Sequence, residues 1–531
     1  MPKFVFITGG VLSSLGKGIL SSSIAKLLKS RGINASAMKI DPYLNCDAGT
    51  LNPFEHGEVF VTQDGFECDL DVGNYERFLD IFARKEQNFM MGGVYKTIVD
   101  EERQGKFLGK TVQLIPHATN EIKKRIRLAA RVAGCDVLFV EIGGTVGDIE
   151  SEIVLEAARQ MRFDEKYGDV VFVHMALVPR ILTGEQKTKP FQHSVKALLA
   201  RGITPDVLVA RSDEMVSENA REKISLQCNV RREDVFCSPS VKNIYSLPLV
   251  LQEQGIHLKV ASKLGLKLKK KDMKEWTALV RKMDTLDEKG EKVRIGVVGK
   301  YAMMKDTYMS IFESIRHAGL ANGVSAEGVL VDSEAIENGK LDLDGYEALL
   351  VPGGFGARGA EGKIKAIEFA RENKKPLLGI CYGFQLSVIE IARNVLGLKD
   401  ANTTENDAKT KHPVIDILPE QKSVKEKGGT MRLGVQKTII RPGTLAAKMY
   451  GAKEIMKRHR HRYEVNPDYI NDLEKAGIIF SGRSEDGRKM EILEMKGQCL
   501  IGSQYHPEFD SRLGRPEPLF YELIKAAKKG L

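Results

Sequence analysis

Short apolar runs alternate with amphipathic stretches through roughly the first half of the chain. The runs at 4–8, 35–40, 136–141, 170–177 and 206–210 are rich in Val, Ile, Phe and Leu and too short for helices. Continuous apolar runs of this length, separated by helical periodicity, predict buried strands of a parallel sheet with helices on both faces. The stretch 267–292 is charged and reads as a solvated linker with a helix around Trp276. The alternation resumes with runs at 294–299, 348–351 and 376–380. The expectation is two doubly wound α/β domains with mostly parallel sheets, 1–266 and 293–531, joined by 267–292.

Composition narrows the function without naming it. A chain of 531 residues exceeds one compact core, and 42% hydrophobic with 28% charged residues is the balance of a soluble globular protein. No apolar run approaches a membrane span, and the N-terminal residues enter a strand without a signal-peptide layout, so a cytoplasmic protein with no membrane partner is expected. The net charge of +9 suits nucleic acid or phosphorylated small molecules. The lysines form no single basic tail, and the motifs below favour small molecules over nucleic acid. The seven cysteines, at 46, 68, 135, 228, 237, 381 and 499, lack Cys-x-x-Cys spacing, which argues against zinc and a disulfide framework. Six are expected to be buried and inert.

The seventh stands in Gly379-Ile380-Cys381-Tyr382-Gly383, after a short apolar strand and before a helical pattern. A strand that turns into a helix through Gly-x-nucleophile-x-Gly presents the nucleophile on a tight bend, and a helix N-terminus favours the thiolate. A base and its orienting acid are available in Tyr505-His506-Pro507-Glu508, where two residues apart on an extended stretch face the same way. Oxyanion donors are available in Pro352-Gly353-Gly354-Phe355-Gly356 and in the N–H of Tyr382. A lone cysteine is more often a packed core thiol; the three motifs together reverse that preference. In this order they resemble the class I glutamine amidotransferases. The resemblance implies a flavodoxin-like domain that hydrolyses glutamine through a Cys381 thioester, with His506 and Glu508 as catalytic partners. It also implies that Gly354, Tyr382, Gly383, Phe384, Gln385, Glu405 and Arg462 hold the substrate. Tyr382 departs from the aliphatic residue more usual after the cysteine.

A glutaminase supplies ammonia to an acceptor, which points to the first half. Gly9-Gly10-Val11-Leu12-Ser13-Ser14-Leu15-Gly16-Lys17-Gly18 follows the first strand and opens a helix, a layout whose backbone N–H groups cradle phosphates. The strict P-loop pattern is not met: five residues separate Gly10 from Gly16, and Gly18 replaces the Ser/Thr. A Rossmann-like glycine turn therefore stays open on the pattern alone. Asp71 and Glu141 are the carboxylates best placed to hold magnesium, although either alone reads as a cap or surface acid. Lys187, Lys189 and Lys223 suggest a second polyphosphate site, or simply a solvated basic face. Pro190 is expected to limit helix there, leaving Lys187 and Lys189 to project alike from an extended loop.

Long strings, among them Lys39-Ile40-Asp41-Pro42-Tyr43, His56-Gly57-Glu58-Val59-Phe60-Val61 and Glu141-Ile142-Gly143-Gly144-Thr145-Val146-Gly147-Asp148-Ile149-Glu150, extend the resemblance to the CTP synthase family over nearly the whole chain. That resemblance implies a P-loop NTPase-like amidoligase domain. ATP would lie on Ser14, Leu15, Gly16, Lys17, Gly18, Ile19 and Asp71, with Lys17 catalytic and Mg2+ on Asp71 and Glu141; no organic cofactor is implied. UTP would lie on Ser13, Lys187, Thr188, Lys189, Pro190, Phe191, Gln192 and Lys223, and product CTP would inhibit through Asp148, Ile149 and Glu150. GTP would activate, with Arg358 as a contact, and the assembly would be a homotetramer. Ammonia is largely protonated in neutral water, so an enclosed passage to the acceptor is physically motivated. Two other readings fit parts of the chain: an amidotransferase acting on a large carboxylate such as cobyrinic acid, and a nucleotide-binding assembly protein without catalysis. The lysine set speaks against the first, and the intact Cys381, His506 and Glu508 against the second.

Overall fold

The apolar run ahead of the first glycine turn forms β1 (Lys3–Gly10), buried at every residue after Lys3. The computed structural model describes residues 2–182, 184–270, 272–300, 304–340, 342–417 and 431–529. The chain folds as two compact units, Met1–Ala48 with Cys68–Val280, and Gly49–Glu67 with Arg281–Leu531.

In the first unit β1 is joined by β2 (Ala35–Asp41), β3 (Asn88–Met90), β4 (Val137–Ile142), β5 (Val170–Leu177), β6 (Val207–Ser212) and β7 (Val235–Pro239). Among the described residues the order is β3-β2-β4-β1-β5-β6-β7, and every pairing is parallel. Successive residues of β1, Phe4 through Ile7, are all buried, so both faces of the sheet are covered. The chain leaves β1 for one side of the sheet and later fills the other. That reversal opens a crevice at the carboxyl ends of the strands, where α/β proteins bind ligands. The helices that begin at this edge include α1 (Lys17–Ser30), α2 (Asp71–Leu79) and α3 (Lys189–Ala200).

Two local expectations give way here. Lys189 does not project from an extended loop: it opens α3, with Pro190 in the first turn. A missing N–H costs nothing there because the first turn has no intrahelical acceptor for it. The stretch 267–292, of which Lys271 lies outside the described residues, holds the expected helix around Trp276 as α4 (Lys274–Lys289), but that helix is not simply solvated. Its Trp276 is only 7% exposed. The indole N–H donates to the Tyr245 carbonyl at 2.8 Å, and the ring packs against Phe78 and Tyr245 with centroids 5.7 Å away in each case. Lys26 Nζ lies 4.5 Å over the same ring. The charged residues of α4 mask an aromatic anchor.

The second unit is built on β8 (Lys292–Gly299), β9 (Ser325–Asp332), β10 (Ala348–Val351), β11 (Leu377–Ile380), β12 (Arg432–Ile440), β13 (Glu454–His461), β14 (Ile478–Ser484), β15 (Met490–Met495) and β16 (Leu500–Ser503). The order is β9-β8-β10-β11-β16-β15-β14-β12-β13. The strands from β9 to β16 run parallel; the rest extend the sheet antiparallel. Against the parallel part pack α5 (Ala360–Glu372) and α6 (Tyr382–Asn394). Residues 49–67, although early in the chain, belong to this unit. Glu58 accepts from the Ser310 N–H at 2.9 Å, Arg458 donates to the Val61 carbonyl at 2.9 Å, and Arg460 pairs with Glu67 at 2.7 Å. No described helix is long and apolar enough to cross a membrane.

Trp276→Ala removes both the ring packing and the indole hydrogen bond. It is expected to lower the stability of the first unit by about 3–5 kcal/mol, as large aromatic truncations do, measured by urea unfolding followed by circular dichroism. A loss below about 1 kcal/mol, the level of an exposed substitution, would show that Trp276 is not an anchor.

Candidate active sites

The second unit's site starts from a backbone constraint. Between β11 and α6, Cys381 takes φ 51° and ψ −99°, a region that side chains rarely adopt. Its N–H is fixed by the Ser503 carbonyl at 2.7 Å. A Cβ on Gly379 would stand 2.7 Å from the Gly383 carbonyl oxygen, and one on Gly383 only 2.1 Å from that of Val351. Glycine is therefore required on both sides of the nucleophile. Strain of this kind costs on the order of 1–3 kcal/mol and persists only where the surroundings enforce it. As the first residue of α6, Tyr382 has an N–H without an intrahelical acceptor, as an oxyanion donor needs.

His506 and Glu508 do meet, but not along a strand. Pro507–Asp510 is a short 3-10 turn, and it brings Glu508 Oε1 to 2.7 Å from His506 Nδ1. The imidazole stacks on Phe509 at 5.3 Å, and its backbone N–H is held by the Arg458 carbonyl at 2.8 Å. Burial alone would press this imidazole down; the Glu508 carboxylate and, after it, the Cys381 side chain outweigh burial and lift it to about 10. His506 Nε2 is buried, and Cys381 raises the imidazole both by charge and by proximity to its ring nitrogen. A Cβ on Gly353 would approach His506 Cε1 at 2.9 Å and Cys381 Cβ at 3.6 Å, so the glycine lets loop 352–356 close over both.

Cys381, His506, Glu508, Gly353 and Gly354 line one cleft. Gln385, Glu405 and Arg462 do not line it. Gln385 donates to the Tyr463 carbonyl at 3.0 Å, Glu405 accepts from the Gly356 N–H at 3.2 Å, and Arg462 lies half-buried between β13 and Tyr463. Phe384 is wholly buried in the core. The cleft also takes in Pro53, Glu58 and Val59 from segment 49–67, together with Lys300, Lys363 and Arg460. Glu58 and Val59 fall in one of the strings that carry the family resemblance, but no site role is predicted for any of the six. Lys363, near the start of α5, is buried, and beside it a Cβ on Gly362 would stand 1.7 Å from the Ser333 carbonyl oxygen, so α5 packs closely against Ser333 there. Burial and then Lys300 bring its ammonium down to about 7, against the pull of Cys381.

In the first unit the charged residues collect at the carboxyl edge of the sheet. Val11, Ser14 and Gly16 all take positive φ in the loop before α1. Lys17 folds back across Gly9 and donates to the Gly144 carbonyl at 2.5 Å. Burial lowers its ammonium, while Glu141 opposes that. Lys39 bonds Asp69 at 2.8 Å and Asp71 at 2.5 Å. Glu141, level with Ile7 and Lys39 in the sheet, accepts from the Tyr75 hydroxyl. Burial and then the Asp71 carboxylate raise Glu141 to about 8. A Cβ on Gly18 would fall 2.1 Å from Asp71 Oδ1, so the residue that breaks the P-loop pattern makes room for a carboxylate. Asp71 and Glu141 offer only hard oxygen donors, and a divalent cation would relieve their mutual repulsion. No cluster of three or more metal-binding side chains exists among the described residues; a magnesium ion bound to nucleotide phosphates usually takes one or two carboxylates.

The remaining predicted residues divide. Lys187 bonds Glu185 at 2.6 Å, and the charge of Lys223 also reaches Glu185, so these two lysines share one exposed patch. Thr188 and Gln192 are buried and bond each other at 3.0 Å, and Phe191 is core. Asp148 caps the Thr145 N–H at 2.9 Å, with Ile149 and Glu150 exposed beside it. Arg358 pairs with Glu334. Cys46 is exposed, against the expectation of six buried thiols, and Cys499 is partly so.

A strained cysteine at the end of a parallel strand, beside a buried imidazole–carboxylate pair, defines the second unit as a class I glutamine amidotransferase. The family model of that description matches residues 303–526, and the model described as CTP synthase N-terminus matches residues 3–266. The chain is 52% identical to the CTP synthase of Thermococcus kodakarensis over 533 residues, covering 100% of this chain and 99% of that one. It is 50% identical to the CTP synthase of Archaeoglobus fulgidus over 531 residues, 99% and 98% of the two chains. The solved glutaminase domain of Trypanosoma brucei CTPS with bound acivicin is 37% identical over 45% of this chain and 94% of its own, with a TM-score of 0.42, too low to bear on the fold. The chain belongs to the CTP synthase family, enzymes that are at once ligases and amidotransferases.

Two outcomes follow from the elbow. Gly383→Ala drives a methyl into the Val351 carbonyl and is expected to abolish glutamine hydrolysis in a protein that still makes CTP from ammonia. Retention of glutamine hydrolysis would refute the strain argument. The His506 resonance in histidine-labelled protein is expected to titrate near 10, above the ordinary 6.5 or so of histidine. Its folded value being raised, the stability it contributes is complete below about 6.5 and is lost as pH climbs through about 10. Glu508→Gln should pull the midpoint down; an unmoved midpoint would show that Glu508 does not set it.

Proposed function

We propose that the two units divide CTP synthesis. In the first, residues 13–19 hold ATP, and its γ-phosphoryl group passes to the 4-oxygen of UTP, turning a poor leaving group into phosphate. Lys17 balances charge on the phosphoryl group in transit. Asp71 and Glu141 would hold Mg2+ there, and the ion when bound supplies positive charge against the phosphates. In the second unit Cys381 attacks the carboxamide carbon of glutamine. The N–H groups of Tyr382 and loop 352–356 receive the oxyanion. His506, lifted by Glu508, keeps the proton Cys381 gives up and passes it to the departing ammonia. Water resolves the thioester to glutamate. Ammonia attacks C4 of the phosphorylated UTP, phosphate leaves, and CTP remains.

The observation that carries this reading is that two chemistries stand on separate sheets. Lys17 lies buried with Glu141 in the first unit, and Cys381 with His506–Glu508 in the second. The basic patch of Lys187 and Lys223 supports a triphosphate as the acceptor, with Lys189 and the backbone of 188–192 beside it. Exposed Ile149 and Glu150, next to the capped Asp148, support a place for product CTP as an inhibitor. Arg358, on the loop that carries Gly354, is our choice for a contact with the activator GTP. Exposed Leu108, Leu114, Ile115 and Ile149 support assembly as a homotetramer. Seven free cysteines without a disulfide support a reducing, cytoplasmic setting.

Spectrophotometric conversion of UTP, with glutamine or with ammonia, tests the division. Cys381→Ala is expected to abolish glutamine-dependent CTP formation and keep the ammonia-dependent reaction. Lys17→Ala is expected to keep glutamine hydrolysis and lose synthesis from either nitrogen source. Loss of both activities together in a folded variant of either kind would refute it.

A further inference from the structure

Tyr382 supplies more than a backbone N–H. Its ring is 2% exposed within the core, and its hydroxyl reaches out of that core to two polar groups. The hydroxyl donates to the Gly356 carbonyl at 3.0 Å and accepts from Asn406 Nδ2 at 2.7 Å. These roles follow from the chemistry: a carbonyl oxygen can only accept, so the phenolic hydrogen is committed to Gly356 and only the lone pairs face Asn406. The Asn406 amide must then present its NH2 group, and its buried Oδ1 has no partner among the described residues. The backbone N–H of the same Gly356 donates to Glu405 Oε1 at 3.2 Å. Both polar groups of one peptide residue thus join loop 352–356 to consecutive residues, 405 and 406. That turn is itself fixed by the Glu405 N–H on Thr403 Oγ1 at 3.2 Å and the Asn406 N–H on the Thr403 carbonyl at 3.1 Å. Lys363 Nζ lies 5.4 Å from the Tyr382 ring centre, a second restraint on the ring. Burial lifts the phenol well above its ordinary value, so it remains a donor throughout the working pH range. An aliphatic side chain could fill the core at this position but could make neither bond.

We propose that Tyr382 is a positioning residue of the glutaminase: its hydroxyl locks loop 352–356, which lines the Cys381 cleft through Gly353, Gly354 and Phe355, to the Glu405–Asn406 turn. The lock thereby sets how Glu405, bonded to that loop rather than lining the cleft, is held for the amino-acid end of glutamine that the family resemblance assigns to it. The inference rests on the glutaminase reading above. The lock acts through Glu405 on binding rather than on the reacting carbon, so it should move KM more than kcat.

The test is glutamine hydrolysis by the full-length enzyme with ATP and UTP present. Tyr382→Phe keeps the ring and removes only the hydroxyl. It breaks the bonds to both Gly356 and Asn406 and is expected to raise KM for glutamine at least about five-fold, the size of one hydrogen bond, with kcat within about two-fold. Asn406→Leu should move KM the same way, and the double variant should be no worse than Tyr382→Phe alone, because the shared bond breaks only once. A KM within about two-fold of wild type in Tyr382→Phe, a fall in kcat alone, or additive losses in the double variant overturns the lock. Loss of ammonia-dependent synthesis in the same preparation also overturns it, since the role would then be structural. Failure of the underlying reading looks different: Cys381→Ala would continue to make CTP from glutamine.

Discussion

The backbone at Cys381 is the constraint on which the glutaminase depends. A positive φ on a side-chain-bearing residue is held only because everything around it is already occupied. Ser503 takes the Cys381 N–H, and the Gly383 and Val351 carbonyls crowd the two flanking glycines. The bend directs a helix N-terminus at the sulfur and leaves the next N–H for an oxyanion. His506 approaches on a different element, and its protonation follows from the same closeness: Glu508 and the sulfur overcome burial. Geometry and electrostatics are one fact at this site. Relaxing the bend would remove the donor and the sulfur's position together, and with them the part of the imidazole's lift that comes from Cys381.

The first unit answers a related problem by another route. Its loop resembles a P-loop but lacks the hydroxyl residue that would bind magnesium. Gly18 is small because Asp71 Oδ1 occupies the space where a Cβ would go. The carboxylate comes from another helix and is steered by Lys39 and Asn74. Glu141 comes from the sheet, on a strand beside β1. Three elements therefore converge on Lys17. Burial turns each of them into a strongly coupled partner of the others, which explains a carboxyl raised to about 8 beside a lysine lowered from its ordinary value.

Much of this was legible in the sequence because the informative residues are local. Gly379, Cys381 and Gly383 lie on one bend, the run before Gly9 is a buried strand, and His506 with Glu508 is two residues apart. Long strings carried the family. What stayed hidden depends on residues that meet only in the fold. The antiparallel extension β15-β14-β12-β13 has mixed strands that periodicity does not separate from loops. Lys363 and Trp276 sit in charged helices, and their burial depends on what packs against those helices in the fold. The Tyr382 hydroxyl and the Asn406 amide, 24 residues apart, bond directly, and no periodicity records such a pair.

Segment 49–67 shows why a boundary in sequence differs from one in contacts. It lies inside the region matched by the CTP synthase N-terminus model, yet its packing is with residues beyond 281. The cause is a buried cation. Arg458 is wholly buried, 5.1 Å from the Phe60 ring and 5.6 Å from that of Phe509, and it donates to Val61, Phe509 and Asp510. A guanidinium taken out of water needs most of its donors satisfied, and segment 49–67 provides one acceptor and one aromatic face. Its backbone carbonyl in turn holds the His506 N–H. The residue that fixes the early segment therefore also fixes the imidazole, and Glu58 and Val59 come to line the cleft in which Cys381 works. A substitution in 49–67 thus reaches the glutaminase through Arg458, although in sequence it belongs to the synthase.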